Sequence, residues 1–432
     1  MKIHIVGSGP TGLSLAWEIL KFTDHEVVIH DRKSSSGGSW WEPDSDKRDL
    51  HAHRIVFDNA FVGTSQLFKE MKIDWNEIFI PVDDNKFKYL FEKLKLKDIF
   101  ILIKLFFKVL YNPEKYKNIS LKDSLDNLSD DGELYMSTIP FIIDGVGWDV
   151  MSAYEFIKSF DHVAFSKKYT QKVSGRVMND LMFKAVMDAG ATFHFNRDLV
   201  NVKYKDDDYE AEFSDGTVIN DGMLIMCIDN SKALDLIKDN WGRDAKKYIS
   251  PSTYGCLNLL LDYEEPIGEI ESDTIVAMYS EWKLQPVLLN DRKTISCGIT
   301  NITDEIVTTD PDALKSKTIE QLVRFGIPKP DNIRIGWGSK WDGEKWSFEQ
   351  SSGVLNMNGQ LPFFGKCKKV AMCGMMSERY TPYSSIEASV EVSKSLCSKL
   401  FNTRGPTYPI LLSHVLYFTL VLILIKLYVT YK

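Results

Sequence analysis

A short apolar strand (Ile3, Ile5, Val6) runs into Gly7-Ser8-Gly9-Pro10-Thr11-Gly12 and then into a helical pattern, and no other stretch constrains the fold as tightly. Each glycine answers a steric need. Gly7 permits the tight strand-to-helix turn, Gly9 lets a pyrophosphate approach the backbone, and Gly12 lets the helix lie close on its strand. The free N–H groups at the helix start then face the anion. The flanks agree with this reading. Leu13, Ala16, Trp17, Ile19 and Leu20 fall at helical spacing, and Glu26 to His30 reads as a second strand ending at Asp31. An acid about twenty residues past the glycines is placed to take ribose hydroxyls. The implied ligand is a dinucleotide.

Asp31 is followed by Arg32 and then by Gly37-Gly38-Ser39-Trp40-Trp41. This second glycine pair resembles that of the flavin-containing amine oxidase and phytoene desaturase superfamily. The resemblance implies FAD, with the backbone of Gly37, Gly38, Ser39 and Trp40 running along its pyrophosphate and ribityl chain. The superfamily's usual next residue is Arg where Ser39 stands, so that contact is either missing or supplied by Arg32 or Arg48. No cysteine occupies the positions where some relatives attach flavin, so the cofactor is expected to be noncovalent.

Two later blocks carry the same resemblance. A helical pattern over Arg176 to Ala189 precedes strands expected at Thr192 to Phe195, Val200 to Tyr204, Tyr209 to Phe213 and Gly222 to Ile228, with Asp215-Gly216 as a turn. Val200 in "NRDLVNV" matches the superfamily's backbone contact to adenine. Lys369 to Gly374 then reads as a strand ending in glycine, and Ser384 to Leu400 as a helix with Ile386, Val390 and Leu396 on one face. In the superfamily this helix points its N-terminus at the flavin, where its dipole favours negative charge. Gly374, Met375, Ser384, Ser385 and Ile386 are the matching positions. The fold class expected is α/β. A Rossmann-like FAD-binding domain from residues 1–60, 165–235 and 355–402 is interleaved with an α+β substrate domain from 61–164 and 236–354.

A chain of 432 residues with 44% apolar composition can bury a large core. Its net charge of −8 and the absence of basic clusters interleaved with aromatics exclude a nucleic-acid face. The six cysteines are dispersed, as buried thiols in a reducing compartment would be. Only His51 and His53 approach ligand spacing, with no further ligand nearby, so no metal is expected.

The first residues form a strand leading into the glycine turn, which is not a signal-peptide pattern. The C-terminal end differs. Residues 408–431 are almost entirely apolar and follow Arg404-Gly405-Pro406. Pro409 to Ile425 carries no charge, and at ~1.5 Å per residue it spans roughly 25 Å of a ~30 Å hydrocarbon core, with Lys426 snorkelling. A tail-anchored transmembrane helix is expected, with the catalytic body on the cytosolic side. Tyr89 to Tyr111 mixes Phe91, Leu94, Ile99, Leu102, Ile103, Phe106 and Phe107 with five lysines. It reads either as an interfacial helix or as a core helix with a solvated lysine edge.

The resemblance implies hydride transfer from a substrate C–H bond to flavin. Two departures bear on the substrate. The strand "STYGCLNLLLDYEEP" offers Tyr254 or Gly255 where many amine oxidases place a lysine, and Ser385 stands where their aromatic cage has a wall, with Tyr383 two residues away. His51, His53 and Arg54 in "DLHAHRIVFDNA" match a segment close to the isoalloxazine in desaturase-like members and are weak catalytic candidates. Trp337, Trp341 and Trp346 are either core or a substrate wall. The sequence thus supports an FAD-dependent oxidoreductase acting on a lipophilic small molecule. A flavin amine oxidase with an altered cage, or a membrane-anchored flavoprotein without turnover, are the alternatives.

Overall fold

The computed structural model describes residues 1–41, 55–82, 93–228, 230–248, 257–271, 273–289, 291–336, 338–348 and 360–430. The first strand β1 (Lys2–Val6) leads through the glycine turn into α1 (Pro10–Phe22) and back into β2 (Glu26–His30). Next come β3 (Ile55–Phe57), α2 (Val62–Glu70) and β4 (Phe79–Pro81), then a helical stretch of α3 (Leu96–Tyr111), α4 (Asp130–Asp144) and α5 (Ala153–Val163). Strand β5 (Lys168–Gln171) and α6 (Gly175–Asp188) return the chain to β6 (Thr192–His194). A meander of β7 (Leu199–Lys205), β8 (Asp208–Phe213) and β9 (Val218–Ile219) follows, and then β10 (Met223–Met226) and α7 (Asn230–Trp241). The later half holds β11 (Leu257–Asp262), α8 (Asp273–Tyr279), β12 (Leu284–Leu288), β13 (Thr294–Ile299), α9 (Pro311–Val323) and β14 (Asn332–Ile335). A hairpin of β15 (Ser339–Trp341) and β16 (Trp346–Phe348) precedes β17 (Val370–Met372), α10 (Ile386–Phe401) and α11 (Leu412–Thr430).

The central sheet is parallel, in the order β17-β10-β1-β2-β6. Its inner strands β10, β1 and β2 are buried on both faces, which is why they are largely apolar. The chain leaves β1 for β2 on one side and reaches β10 on the other. The strand order therefore reverses at the C-terminal ends of β1 and β10, where open α/β sheets bind ligands. Helices α1 and α10 pack against each other over this sheet, and the Ser393 hydroxyl donates to the Thr11 carbonyl at 3.0 Å.

Polar residues interrupt the sheet in one place, a column of imidazoles across its first three strands. His4 Nδ1 lies 3.2 Å from His30 Nε2, His4 Nε2 lies 3.2 Å from Asp221, and the His194 ring stacks 5.4 Å from that of His30. Burial pushes His30 down to about 3, helped by the neighbouring His4. The unfolded imidazole titrates near 6.5, so between these values the unfolded chain binds more protons and the fold loses stability as pH falls. His30→Phe should flatten this acid limb by at most about 1.4 kcal/mol per pH unit, read as denaturant midpoints across the window.

The remaining elements form two further cores. Strands β12-β13-β11-β14 make an antiparallel sheet backed by α9. Helices α3, α4 and α5 form a separate cluster, and α8 joins the two by sending Val276 into the sheet's core and Met278 into the helical one. A small sheet β3-β5-β4 ties the helical part to the cofactor domain. The packing carries that domain past residue 235, because Ala233, Ile237 and Ala245 pack with the β7-β8-β9 meander. The lysine-rich helix begins at Leu96, and residues 83–92 lie outside the described residues.

The chain beyond α10 is a strap fastened to the body. The Arg404 guanidinium donates to both oxygens of buried Glu18 on α1 (2.8 and 3.2 Å) and to Glu70 on α2 (2.7 Å), and it stacks 4.2 Å from the Phe22 ring. Leu411 is buried, and Asp161 on α5 accepts from both the Ser413 amide and its hydroxyl at 2.7 Å. The boundary expected at residue 402 therefore cuts inside the folded unit. Removing one partner of a buried ion pair costs about 3 kcal/mol or more, so Arg404→Met should lower the melting temperature by several degrees. Arg404→Lys should recover only part of the loss, because it has no planar fork to serve both acids.

Candidate cofactor site

The glycine turn closes on backbone atoms. Gly7 has φ +105°, and a Cβ there would lie 2.5 Å from the Cys227 carbonyl at the end of β10. A Cβ on Gly12 would lie 2.0 Å from the Gly7 carbonyl, which fixes how closely α1 sits on its strand. The second glycine pair folds back onto the first turn: the Gly37 amide donates to the Ser8 carbonyl at 3.2 Å, and a Cβ on Gly38 would lie 2.7 Å from Gly9 Cα. Helix α1 has Gly9 as its N-cap, Pro10 in its first turn and no side-chain cap. The amides of Thr11 and Gly12 are thus left as donors for an anion.

Asp31 sits at the end of β2 with its carboxylate turned to the cradle. Its Oδ2 accepts from the Ser8 amide (2.7 Å) and the Ser8 hydroxyl (2.6 Å), and its Oδ1 accepts from the Lys33 amide (2.9 Å). Oδ1 retains lone-pair capacity for a ribose hydroxyl. The loop to the second glycine pair is held by Asn179, which donates to Ser36 at 2.7 Å, and by Trp41, which donates to Ser35 at 3.1 Å. Trp40 is in the core, whereas Arg32 and Ser39 are exposed.

Val200 comes to the same end of the sheet. Beyond β2 and β6 the chain keeps pairing, with the Asn196 amide donating to the Lys33 carbonyl (2.9 Å) and the Arg197 amide to the Asp31 carbonyl (2.8 Å). The β7–β8 ladder then shifts register between Leu199 and Asn201, leaving Val200 at a bulge without a cross-strand partner.

The closing loop between β17 and α10 is built around charge. Arg379, buried, donates to the carbonyls of Met375 (2.8 Å), Tyr383 (2.8 Å) and Thr381. Glu391 on α10 accepts the amides of Thr381 (2.7 Å) and Tyr380. Asp144 at the end of α4 accepts the Ser384 amide at 3.0 Å. Burial pushes the Asp144 carboxyl up to about 6, against the pull of the Ser384 amide and Arg379. The Gly374 amide donates to the Ser377 hydroxyl at 3.0 Å. Ser385 caps α10 by accepting from Ala388, which leaves the Ile386 and Glu387 amides as the helix's open donors. Glu387 reaches back to cap α2, accepting from Gly63 and Thr64 at 2.7–2.8 Å.

The cradle residues, Asp31, the second glycine pair and Val200 thus gather at one end of the central sheet, while Ser384, itself exposed, gives its backbone amide to Asp144. His51, His53, Arg54 and Arg48 lie outside the described residues, as do Tyr254, Gly255 and Trp337. Tyr383 is buried, hydrogen-bonded through its hydroxyl to His162 Nδ1 at 2.7 Å and stacked 6.1 Å from Phe61. Trp346 is core, its indole donating to the Thr309 carbonyl at 2.8 Å with Trp341 5.4 Å away. Sequence reasoning missed Arg379, Asp144, Glu391 and His162. The only local signal was the charge-bearing "SERYTPY" run between strand and helix.

This geometry is that of a doubly wound α/β protein with a Rossmann-like domain. Residues 5–63 match the family described as NAD(P)-binding Rossmann-like domain. No curated protein matches the chain in sequence. Among solved structures, putrescine oxidase bound to putrescine is similar at a TM-score of 0.65 and 13% identity, over 93% of this chain and all of that one (100%). An oxidoreductase from Methanosarcina mazei is similar at 0.60 and 12% identity, covering 92% of this chain and 100% of its own. A protein from Exiguobacterium sp., provisionally described as a protoporphyrinogen oxidase, is similar at 0.60 and 11% identity, covering 92% and 98%. The whole-chain fold is shared with these solved structures.

The contact between Gly9 and Gly38 leads to a sharp expectation. Alanine at 38 adds only about 1 kcal/mol of left-handed strain, but its methyl pushes the two turns apart. Gly38→Ala should fold and yet hold its dinucleotide ~10-fold or more weakly, ~1.4 kcal/mol, by equilibrium dialysis. Gly216→Ala, whose Cβ would meet nothing within 4 Å, should bind as the unsubstituted protein does.

Proposed function

We propose that this protein is an FAD-dependent oxidoreductase that oxidises a C–H bond of a lipophilic, membrane-partitioned small molecule. The observation that carries the reading is the double glycine closure at the β1/β10 crevice. Two backbone turns in van der Waals contact, an uncapped helix start and an acid at the end of β2 converge there, within a whole-chain fold shared with flavin-type oxidoreductases. FAD, when bound there noncovalently, supplies the acceptor for the hydride, and dioxygen or another acceptor removes the electrons afterwards.

The chain's own residues do the holding and shielding. Gly7 to Gly12 and Gly37 to Trp40 would line the pyrophosphate, Asp31 the ribose, and Val200's bulge the adenine. The open amides at the start of α10 favour negative charge beside the flavin, and Gly374 and Met375 lie in the loop leading to them. Helix α11 supports the membrane part of the proposal. Its nineteen residues are long and apolar enough to cross a membrane, and none is buried in the protein; we assign it as a tail anchor with the body on the cytosolic side.

A flavin amine oxidase is the second reading, favoured by the likeness to putrescine oxidase. It is weakened by Tyr383, which packs into the core against His162 instead of offering a cage wall. The test is spectroscopic. Detergent-purified protein should be yellow, and acid precipitation should release the chromophore. Anaerobic mixing should bleach it with polyenes or porphyrinogens and leave it unchanged with polyamines. Bleaching by polyamines alone supports the second reading, and a colourless protein that cannot be loaded with FAD overturns both.

A further inference from the structure

Helix α3 turns an apolar face to the outside. At ~100° per residue, Leu96, Phe100, Ile103, Phe107 and Tyr111 fall within an arc of about 80°. They are 76%, 69%, 47%, 55% and 93% exposed. The opposite face packs Leu105 and Val109 into the helical core. Lys97, Lys104 and Lys108, all exposed, line one edge of the apolar stripe. A helix that merely covers a core carries polar residues on its outer face. This one carries two phenylalanines and a tyrosine there.

The neighbours of α3 indicate what covers it. Helix α3 and helix α11 both pack on α5, and α11 begins where Asp161 of α5 holds Ser413. Exposed Tyr408 and Ile410 lie just ahead of that point. We propose that α3 is a second membrane contact, lying in the interface of the same bilayer that α11 crosses. Its apolar stripe would dip below the headgroups, and Lys97, Lys104 and Lys108 would reach anionic lipid phosphates. The inference rests on the membrane reading of α11 and is independent of the oxidation chemistry.

The full chain carrying Phe107→Cys is labelled with an environment-sensitive nitrobenzoxadiazole probe and reconstituted into phosphatidylcholine vesicles with and without phosphatidylserine. Val323→Cys on α9, an exposed position in the antiparallel half, is the control, and the labelled parent protein gives the background. In co-floating protein the probe at 107 should shift blue, brighten several-fold and be quenched by doxyl-labelled lipid. The probe at 323 should do none of these. Replacing Lys97, Lys104 and Lys108 with glutamine should abolish any gain from phosphatidylserine while α11 keeps the protein on the vesicles. Floating protein whose 107 probe is quenched by aqueous iodide as fully as the 323 probe overturns the proposal. So does a 107 probe shielded from both iodide and doxyl lipid, which would mean a second copy covers the stripe. Protein that does not float at all overturns the α11 reading and this inference with it.

Discussion

Backbone-to-backbone contact at the glycine turns is the constraint on which the rest of the structure depends. Gly12 against the Gly7 carbonyl sets the seating of α1 on the central sheet, and Gly9 against Gly38 sets where the loop after β2 returns. Both contacts are shorter than any side chain permits, so neither can relax by choosing another rotamer. With α1 seated, α10 can pack along it and deliver the Ser393 hydroxyl to the Thr11 carbonyl. Glu387 of α10 then anchors the start of α2. A cradle for an anion and the packing of three helices thus follow from one steric fact.

That dependence also explains which parts were readable in the sequence. The β1-turn-α1-β2 unit and Asp31 were legible because the glycines satisfy a local requirement within about thirty residues. Helix α10, expected from Ser384 and beginning at Ile386 after the Ser385 cap, was legible for a similar reason, since its apolar spacing is local. Val200 could be placed only by resemblance. Its bulge arises from a register shift between two strands, which no single-strand pattern encodes. The charge network around Arg379 was invisible because its acids come from α4 and α10, and Asp144 is more than two hundred residues away from Ser384. The strap beyond residue 402 could not be read from the sequence, because the two acidic partners of the Arg404 guanidinium stand on α1 and α2.

Helix α5 is where these long-range features meet. Its Asp161 forms an ion pair with Lys158 and holds the first turn of α11, and the next residue, His162, holds the Tyr383 hydroxyl just ahead of Ser384. Lys158 lies 5.5 Å from the Tyr380 ring, which in turn meets Tyr408 of the strap edge-on at 5.2 Å. Burial pushes His162 down to about 4, so at neutral pH this junction carries no titrating imidazole. The closing loop beside the cofactor cradle and the start of the apolar tail are thereby fixed to the same short helix.

A body joined to its apolar C-terminal helix by a free linker would sample many orientations relative to that helix. The strap removes that freedom. Arg404 and Ser413 are each held by a buried carboxylate and Leu411 is itself buried, so the ordering cost of residues 404–413 falls at folding. Helix α3, packed on α5, inherits the same orientation. The physical consequence is a fixed placement of the glycine turns relative to the start of α11, set by side chains of α1, α2 and α5 and not by the length of a tether.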